Sequence, residues 1–87
     1  MRLMGIDYGS RKIGIALSDE GVSFAFAHSV VENDENTLKK IKKICGENEV
    51  GKIVLGESLD YLGRPNPVMK KIEQFKKILG KEIGLPI

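Results

Sequence analysis

The apolar positions of this chain come in short runs whose spacing changes partway along. Residues 2–8 (RLMGIDY) and 13–18 (IGIALS) are brief apolar runs joined by the polar turn Gly9-Ser10-Arg11-Lys12, a pattern that predicts a β-hairpin. After a second turn at Asp19-Glu20-Gly21, residues 22–31 (VSFAFAHSVV) alternate, with Val22, Phe24 and Phe26 on one side, and predict a third strand. The period then lengthens. Leu38, Ile41, Ile44 and Cys45 recur at three- and four-residue steps, while Lys39, Lys40, Lys42 and Lys43 fill the other side. This predicts an amphipathic helix that starts near Asn36-Thr37, is capped by Asn33 or Asp34, and is ended by Gly46 or Gly51. Residues 52–56 (KIVLG) read as a buried strand with a parallel neighbour, because helical patterns flank them. Beyond a polar loop at 57–66, Asn66 and Pro67 open a second helix with Val68, Ile72, Phe75 and Leu79 along one face and glycines 80 and 84 near its end. Leu85-Pro86-Ile87 reads as the start of a further strand. The order β-β-β-α-β-α-(β) predicts an α/β fold with a mixed sheet, in one domain over residues 1–87.

Composition narrows the class. A chain of 87 residues buries roughly 60–65% of its unfolded surface, so the core is thin. Net charge is +2, from 14 basic and 12 acidic residues, which by itself does not argue for a nucleic-acid partner. The basic residues gather in pairs, at Arg11-Lys12 and along both helices. On helices such pairs are commonly no more than a solvated face. The single cysteine, Cys45, excludes an internal disulfide and a cysteine-based zinc site, and its apolar helical neighbours predict buried packing. A reduced, cytoplasmic setting fits. Asp7 comes too early for a signal peptide, and no apolar run approaches the roughly 20 residues of a membrane span.

Asp7 is the sharpest candidate for chemistry. A carboxylate at the C-terminal end of a strand projects to the edge where open α/β sheets place ligands, and the flanking glycines, Gly5 and Gly9, allow close approach of a backbone or phosphate. A plain turn aspartate is the competing reading. Glu57 follows the fourth strand directly. If that strand lies parallel to the first, both carboxylates emerge at the same rim, where mutual repulsion is relieved by a cation such as Mg²⁺ or Mn²⁺. Two such ions suit phosphodiester cleavage. A solvated loop glutamate is the alternative, and Asp60 is a weaker third candidate. Ser10, Arg11 and Lys12 in the first turn, and Arg64 in the loop after Glu57, could meet a phosphate or simply keep those turns soluble. His28, the sole histidine, falls within the third strand and reads as structural. No serine has a companion His–Asp pattern, so a serine hydrolase has no support.

The stretch from Met4 to Asp19 (MGIDYGSRKIGIALSD) closely resembles the opening of YqgF/RuvX proteins, which begin G-I-D-Y/F-G-x-[KR]-[KR]-I/V-G-x-A-x-S/G-D. The lysine-rich helix, the strand ending in Gly56 and the loop closing with Gly63 follow in the family's order. The resemblance covers essentially the whole chain. It implies a ribonuclease H-like fold related to Holliday-junction resolvases. It also implies a metal-dependent nuclease acting on the 5′ end of the 16S ribosomal RNA precursor or on branched DNA, with the first acidic ligand on Asp7. Many members carry G-L-P where this chain has Gly56-Glu57-Ser58; related resolvases carry their second acid there, which makes Glu57 a metal-ligand candidate beside Asp7. Family members continue through a fifth strand and a further helix that bring the remaining acids. Ile87 falls where that fifth strand begins, so the chain reads as a fragment or a short form.

Three functional readings follow. The first is a Mg²⁺- or Mn²⁺-dependent endonuclease. The second is a non-catalytic binding or assembly module that pairs through an open sheet edge, for instance as a homodimer. The third is a nucleotide-binding domain of the actin/hexokinase type, which opens with a similar glycine-rich hairpin but belongs to far longer chains.

Overall fold

The computed structural model describes residues 1–56 and 67–87. Its elements are β1 (Arg2–Asp7), β2 (Lys12–Ser18), β3 (Ala25–Glu32), α1 (Thr37–Glu47), β4 (Val50–Leu55) and α2 (Met69–Ile83). The described strands form a mixed sheet in the order β3-β2-β1-β4. β1 pairs antiparallel with β2 and parallel with β4, and β2 pairs antiparallel with β3. The parallel neighbour expected for the fourth strand is thus β1.

One face of the sheet is covered. Met4 and Ile6 of β1, Ile13, Ile15 and Leu17 of β2, and Ile53 of β4 are buried with Ile41 and Cys45 of α1 and Leu79 of α2. Strand alternation puts every second residue on this face, and the helical spacing of Ile41 with Cys45, and of Phe75 with Leu79, turns their stripes onto it. A skip in the β1–β4 register between Arg2 and Leu3 passes over Gly51, so Val50 and Ile53 both reach the core although their spacing breaks the alternation. An added Cβ at Gly51 would collide with the Met1 side chain. No described helix is long and apolar enough to cross a membrane.

Four boundaries depart from expectation. β3 begins at Ala25 rather than at residue 22, because the Asp19 carboxylate accepts the N–H groups of Ser23 (2.7 Å) and Phe24 (3.1 Å) and holds a turn in which Val22 takes φ 55°. Neither Gly46 nor Gly51 ends α1. Asn48 does, its backbone and side-chain N–H groups both donating to the Ile44 carbonyl, and Glu49 at φ 52° then turns the chain into β4. Asn33 and Asp34 do not cap α1 directly either. Thr37 Oγ1 accepts the Asp34 N–H at 2.8 Å and donates to the Glu32 carbonyl at 2.9 Å, fixing the entry to the helix. Finally, residues 85–87 are not a strand, yet the Pro86 carbonyl accepts the Ile53 N–H at 2.9 Å, so this segment lies along the outer edge of β4. Gly84, at φ 75°, makes the turn out of α2 that a side chain would strain. The expected cap Asn66 lies outside the described residues.

Candidate functional site

The other face of the sheet carries small side chains. In register across it stand Gly5 of β1, Gly14 and Ala16 of β2, Ala27 and Val30 of β3, and Val54 of β4. They line an open trough of about 470 Å³ that runs up to Asp7 and Gly56. Val30 and Val54 remain 67% and 50% exposed, so no described element covers this face.

Asp7 sits at the rim of the trough. It is the last residue of β1, paired with Gly14, and it is exposed. Its neighbours alternate as the pleat requires. Ile6 points into the core, and Tyr8 reaches toward α2, where its ring lies 5.1 Å from that of Phe75 at 47°. That ring contact holds the end of β1 against the helix, and Asp7 is left facing the open side. A Cβ at Gly14 would stand 3.6 Å from the Asp7 Cβ, so the absence of a side chain there leaves room beside the carboxylate.

The rim is shared by β4. Because β1 and β4 run parallel, Leu55 is level with Ile6, and the Gly56 N–H reaches the Ile6 carbonyl at 3.4 Å. The end of β4 therefore arrives beside Asp7, the condition on which a second carboxylate at this rim depends. Glu57 is the next residue in sequence; together with Asp60 and Arg64 it lies outside the described residues.

The first turn completes this end of the sheet. Ser10, Arg11 and Lys12 are all exposed. Gly9 is required here, since a Cβ would run into the Lys12 carbonyl. Asn33 ties the turn to the start of α1: its side-chain N–H donates to the Gly9 carbonyl and its backbone N–H to the Arg11 carbonyl, each at 2.9 Å. The sequence reading missed this role for Asn33 by taking it as a cap, and nothing local in the sequence signals a contact so distant along the chain. His28 is exposed and away from the rim; the β2–β3 register skips it between Ser29 and Ala27, and its Nδ1 lies 2.9 Å from Ser29 Oγ. Among the described residues no three His, Cys, Asp or Glu side chains gather into a metal cluster. The exposed Asp7 carboxylate is a hard oxygen donor of the type that Mg²⁺ and Mn²⁺ prefer.

Comparison with known proteins bears on the family and the fold. The family model for RuvX, described as Holliday junction resolvase, matches residues 1–87. A Desulfitobacterium hafniense protein named "Putative pre-16S rRNA nuclease" is 36% identical over 87 residues, covering 100% of this chain and 61% of the relative. A Clostridium tetani protein of the same name is 38% identical over 85 residues, covering 95% of this chain and 62% of its own length. The chain thus spans about three fifths of the length of these curated relatives. Among solved structures, T. thermophilus RuvC in complex with Holliday junction substrate superposes with a TM-score of 0.68 at 18% identity, covering 99% of this chain and 61% of RuvC. The Aquifex aeolicus Ppx/GppA phosphatase gives 0.55 at 19% identity, covering 98% and 34%. At such identities these two matches describe the fold.

Proposed function

The chain belongs to the RuvX family and has its ribonuclease H-like fold, and from that premise we propose that it carries the Asp7 part of a divalent-metal nuclease centre acting on nucleic-acid phosphodiesters. The observation that carries this reading is the shared rim: Asp7 ends β1 on the open face, and β4 ends parallel beside it, two residues before Glu57. Asp7 and Glu57 would hold Mg²⁺ or Mn²⁺. When bound, the ion supplies charge to polarise a phosphodiester and lowers the pKa of a bound water. Ser10, Arg11, Lys12 and Arg64 would steer the phosphate backbone toward the rim. The small residues of the trough leave space for substrate to approach Asp7, and the Asn33 contacts keep the first turn in place. The substrate class is the 5′ region of a 16S ribosomal RNA precursor or a branched DNA, handled in the cytoplasm, and residues 1–87 serve as a single domain.

The test reads binding and cleavage separately. Mn²⁺ titrated into ¹⁵N-labelled protein is expected to broaden the amides of Tyr8, Gly14 and Gly56 first, and Asp7→Asn is expected to abolish that pattern. Metal-dependent cleavage of a precursor fragment or a four-way junction, in this chain or in a form extended at its C-terminus, is expected to fall with the same substitution. Broadening or cleavage that survives Asp7→Asn unchanged would remove Asp7 from the centre. A second reading, a non-catalytic assembly module, draws on the exposed apolar side chains of the open face. Light scattering over a concentration series separates the two, because a monomer at all concentrations excludes self-assembly.

A further inference from the structure

We propose that the solvent face of α1, continued by Arg11 and Lys12 of the first turn, is a second nucleic-acid contact that holds the sugar–phosphate backbone outside the Asp7 rim. This rests on the nucleic-acid reading above and extends it from Arg11 and Lys12, which that reading already uses, to the lysines of α1, which it does not.

The charge pattern of α1 is the first observation. Lys39, Lys40, Lys42 and Lys43 are all exposed, and no acidic residue lies between positions 36 and 46. Lysines at 39 and 42, 39 and 43, and 40 and 43 are spaced as helical neighbours, and like charges so placed destabilise a helix by a few tenths of a kcal/mol each. Within the helix only Lys43 has an acid in reach, Glu47. The lysines of α2 differ. Glu73 stands three residues after Lys70 and three and four before Lys76 and Lys77, so that helix carries its own compensation. A lysine face with so little internal compensation is relieved when an anion binds it.

Placement is the second observation. β1 and β3 are both antiparallel to β2, so β3 runs in the same direction as β1 and ends at the rim where Asp7 stands. Glu32, its last residue, pairs with Lys12. The chain then passes through Asn33, hydrogen-bonded to Gly9 and Arg11, into the first turn of α1. Arg11, Lys12 and the start of the lysine face are thus joined at one corner near the candidate site, a corner that also carries the exposed acids Glu32, Asp34 and Glu35. Asn36 and the four lysines line an open groove of about 580 Å³ along the helix.

The chemistry of the partner follows. Lysine is a point charge on a flexible stem, suited to phosphates rather than to base edges. One helical turn spans about 5.4 Å, and each nucleic-acid strand carries a charge about every 3.4 Å along a duplex, so successive lysines can reach successive phosphates. Contact of this kind is independent of sequence. The nuclease centre proposed above for the same chain favours a nucleic-acid strand over an acidic polypeptide.

Fluorescence anisotropy with labelled single-stranded RNA and a DNA duplex, without metal and over a salt series, tests the surface. The α1 variant carries K39Q, K40Q, K42Q and K43Q; the α2 control carries K70Q, K71Q, K76Q and K77Q. The α1 variant is expected to lower the slope of log affinity against log salt by about 3, equally for all sequences, with helix content retained by circular dichroism. The α2 control is expected to change the slope by less than about 1. Equal effects of the two sets, or absence of salt-dependent binding by the unaltered chain, would overturn the proposal. Displacement of RNA by polyglutamate at equal charge would assign the surface to acidic polypeptides and overturn it as well. Mn²⁺-induced broadening around Asp7 is expected to persist in the α1 variant, so failure of the lysine surface and failure of the metal site are read in separate measurements.

Discussion

Ile53 and Val54 are neighbours in sequence and opposites in the fold. Ile53 faces the helices and is 0% exposed; Val54 faces the trough and is 50% exposed. The same contrast runs across the sheet. On one face large branched side chains fill the space under α1 and α2, and on the other Gly5, Gly14, Ala16 and Ala27 leave the backbone accessible. Folding energy is therefore concentrated on one side of strands whose other side is kept low and open, with Asp7 at its rim. A sheet alternates its side chains whatever their identity. The sequence exploits this by giving large residues to one parity and, in the middle of the other, the small residues Gly5, Gly14, Ala16 and Ala27, with Leu3, Val30 and Val54 around them.

The largest predicted effect lies on the covered face. Ile53→Ala is expected to cost about 2–5 kcal/mol in urea unfolding, since it leaves a cavity where the surroundings relax only in part. Val54→Ala, one residue along, is expected to cost under about 1 kcal/mol, because its side chain is half in water already. Similar losses at the two positions would mean that something covers the trough in solution.

Ser18 is the exception that sharpens the contrast. Its parity belongs with Gly14 and Ala16, yet it is buried, accepting the Leu3 N–H at 2.8 Å and donating to the Asp19 carbonyl at 2.9 Å. Ser18→Ala strands a backbone donor and is expected to cost about 1–3 kcal/mol, more than Val54→Ala despite losing a single oxygen. Gly14→Ala comes next. Its new Cβ meets the Asp7 Cβ at an ordinary contact distance of 3.6 Å, so stability is expected to shift by less than about 1 kcal/mol. Mn²⁺-induced broadening around Asp7 is expected to weaken, which places the effect in the site and not in the fold.

Much of this division was legible in the sequence. The hairpin and both helices follow from spacing alone, and Asp7 stands out because it lies at the end of an apolar run, two residues before Gly9. The conditional expectation about β4 was also sound, since β4 does run parallel to β1. What misled was apolar content used outside the core. The alternation of Val22, Phe24 and Phe26 mimicked a strand face, but Val22 and Phe24 belong to a turn and line the solvent-open side of the sheet. Gly51 looked like a helix stop and instead relieves crowding against Met1 within β4. Contacts between residues far apart in sequence, such as Asn33 with Gly9, leave no local pattern to read.

The smallest predicted effect concerns the turn that misled that reading. The Asp19 carboxylate is held below its ordinary value of 3.8, foremost by the N–H of Phe24 and further by other backbone N–H groups of the turn, against an opposing desolvation. A carboxylate with a lowered pKa in the folded state contributes stability that is complete above its unfolded value. That contribution fades as pH falls through the folded one. Amide exchange or NMR shifts at Ser23 and Phe24 are therefore expected to hold steady down to about pH 4 and to change below it. Asp19→Asn is expected to remove that pH dependence. Because Asp19 lies beyond the core packing, the midpoint of thermal unfolding at neutral pH is expected to move little in the same variant. A large drop would mean that this turn, and with it the open face it borders, contributes to the fold as strongly as the covered side.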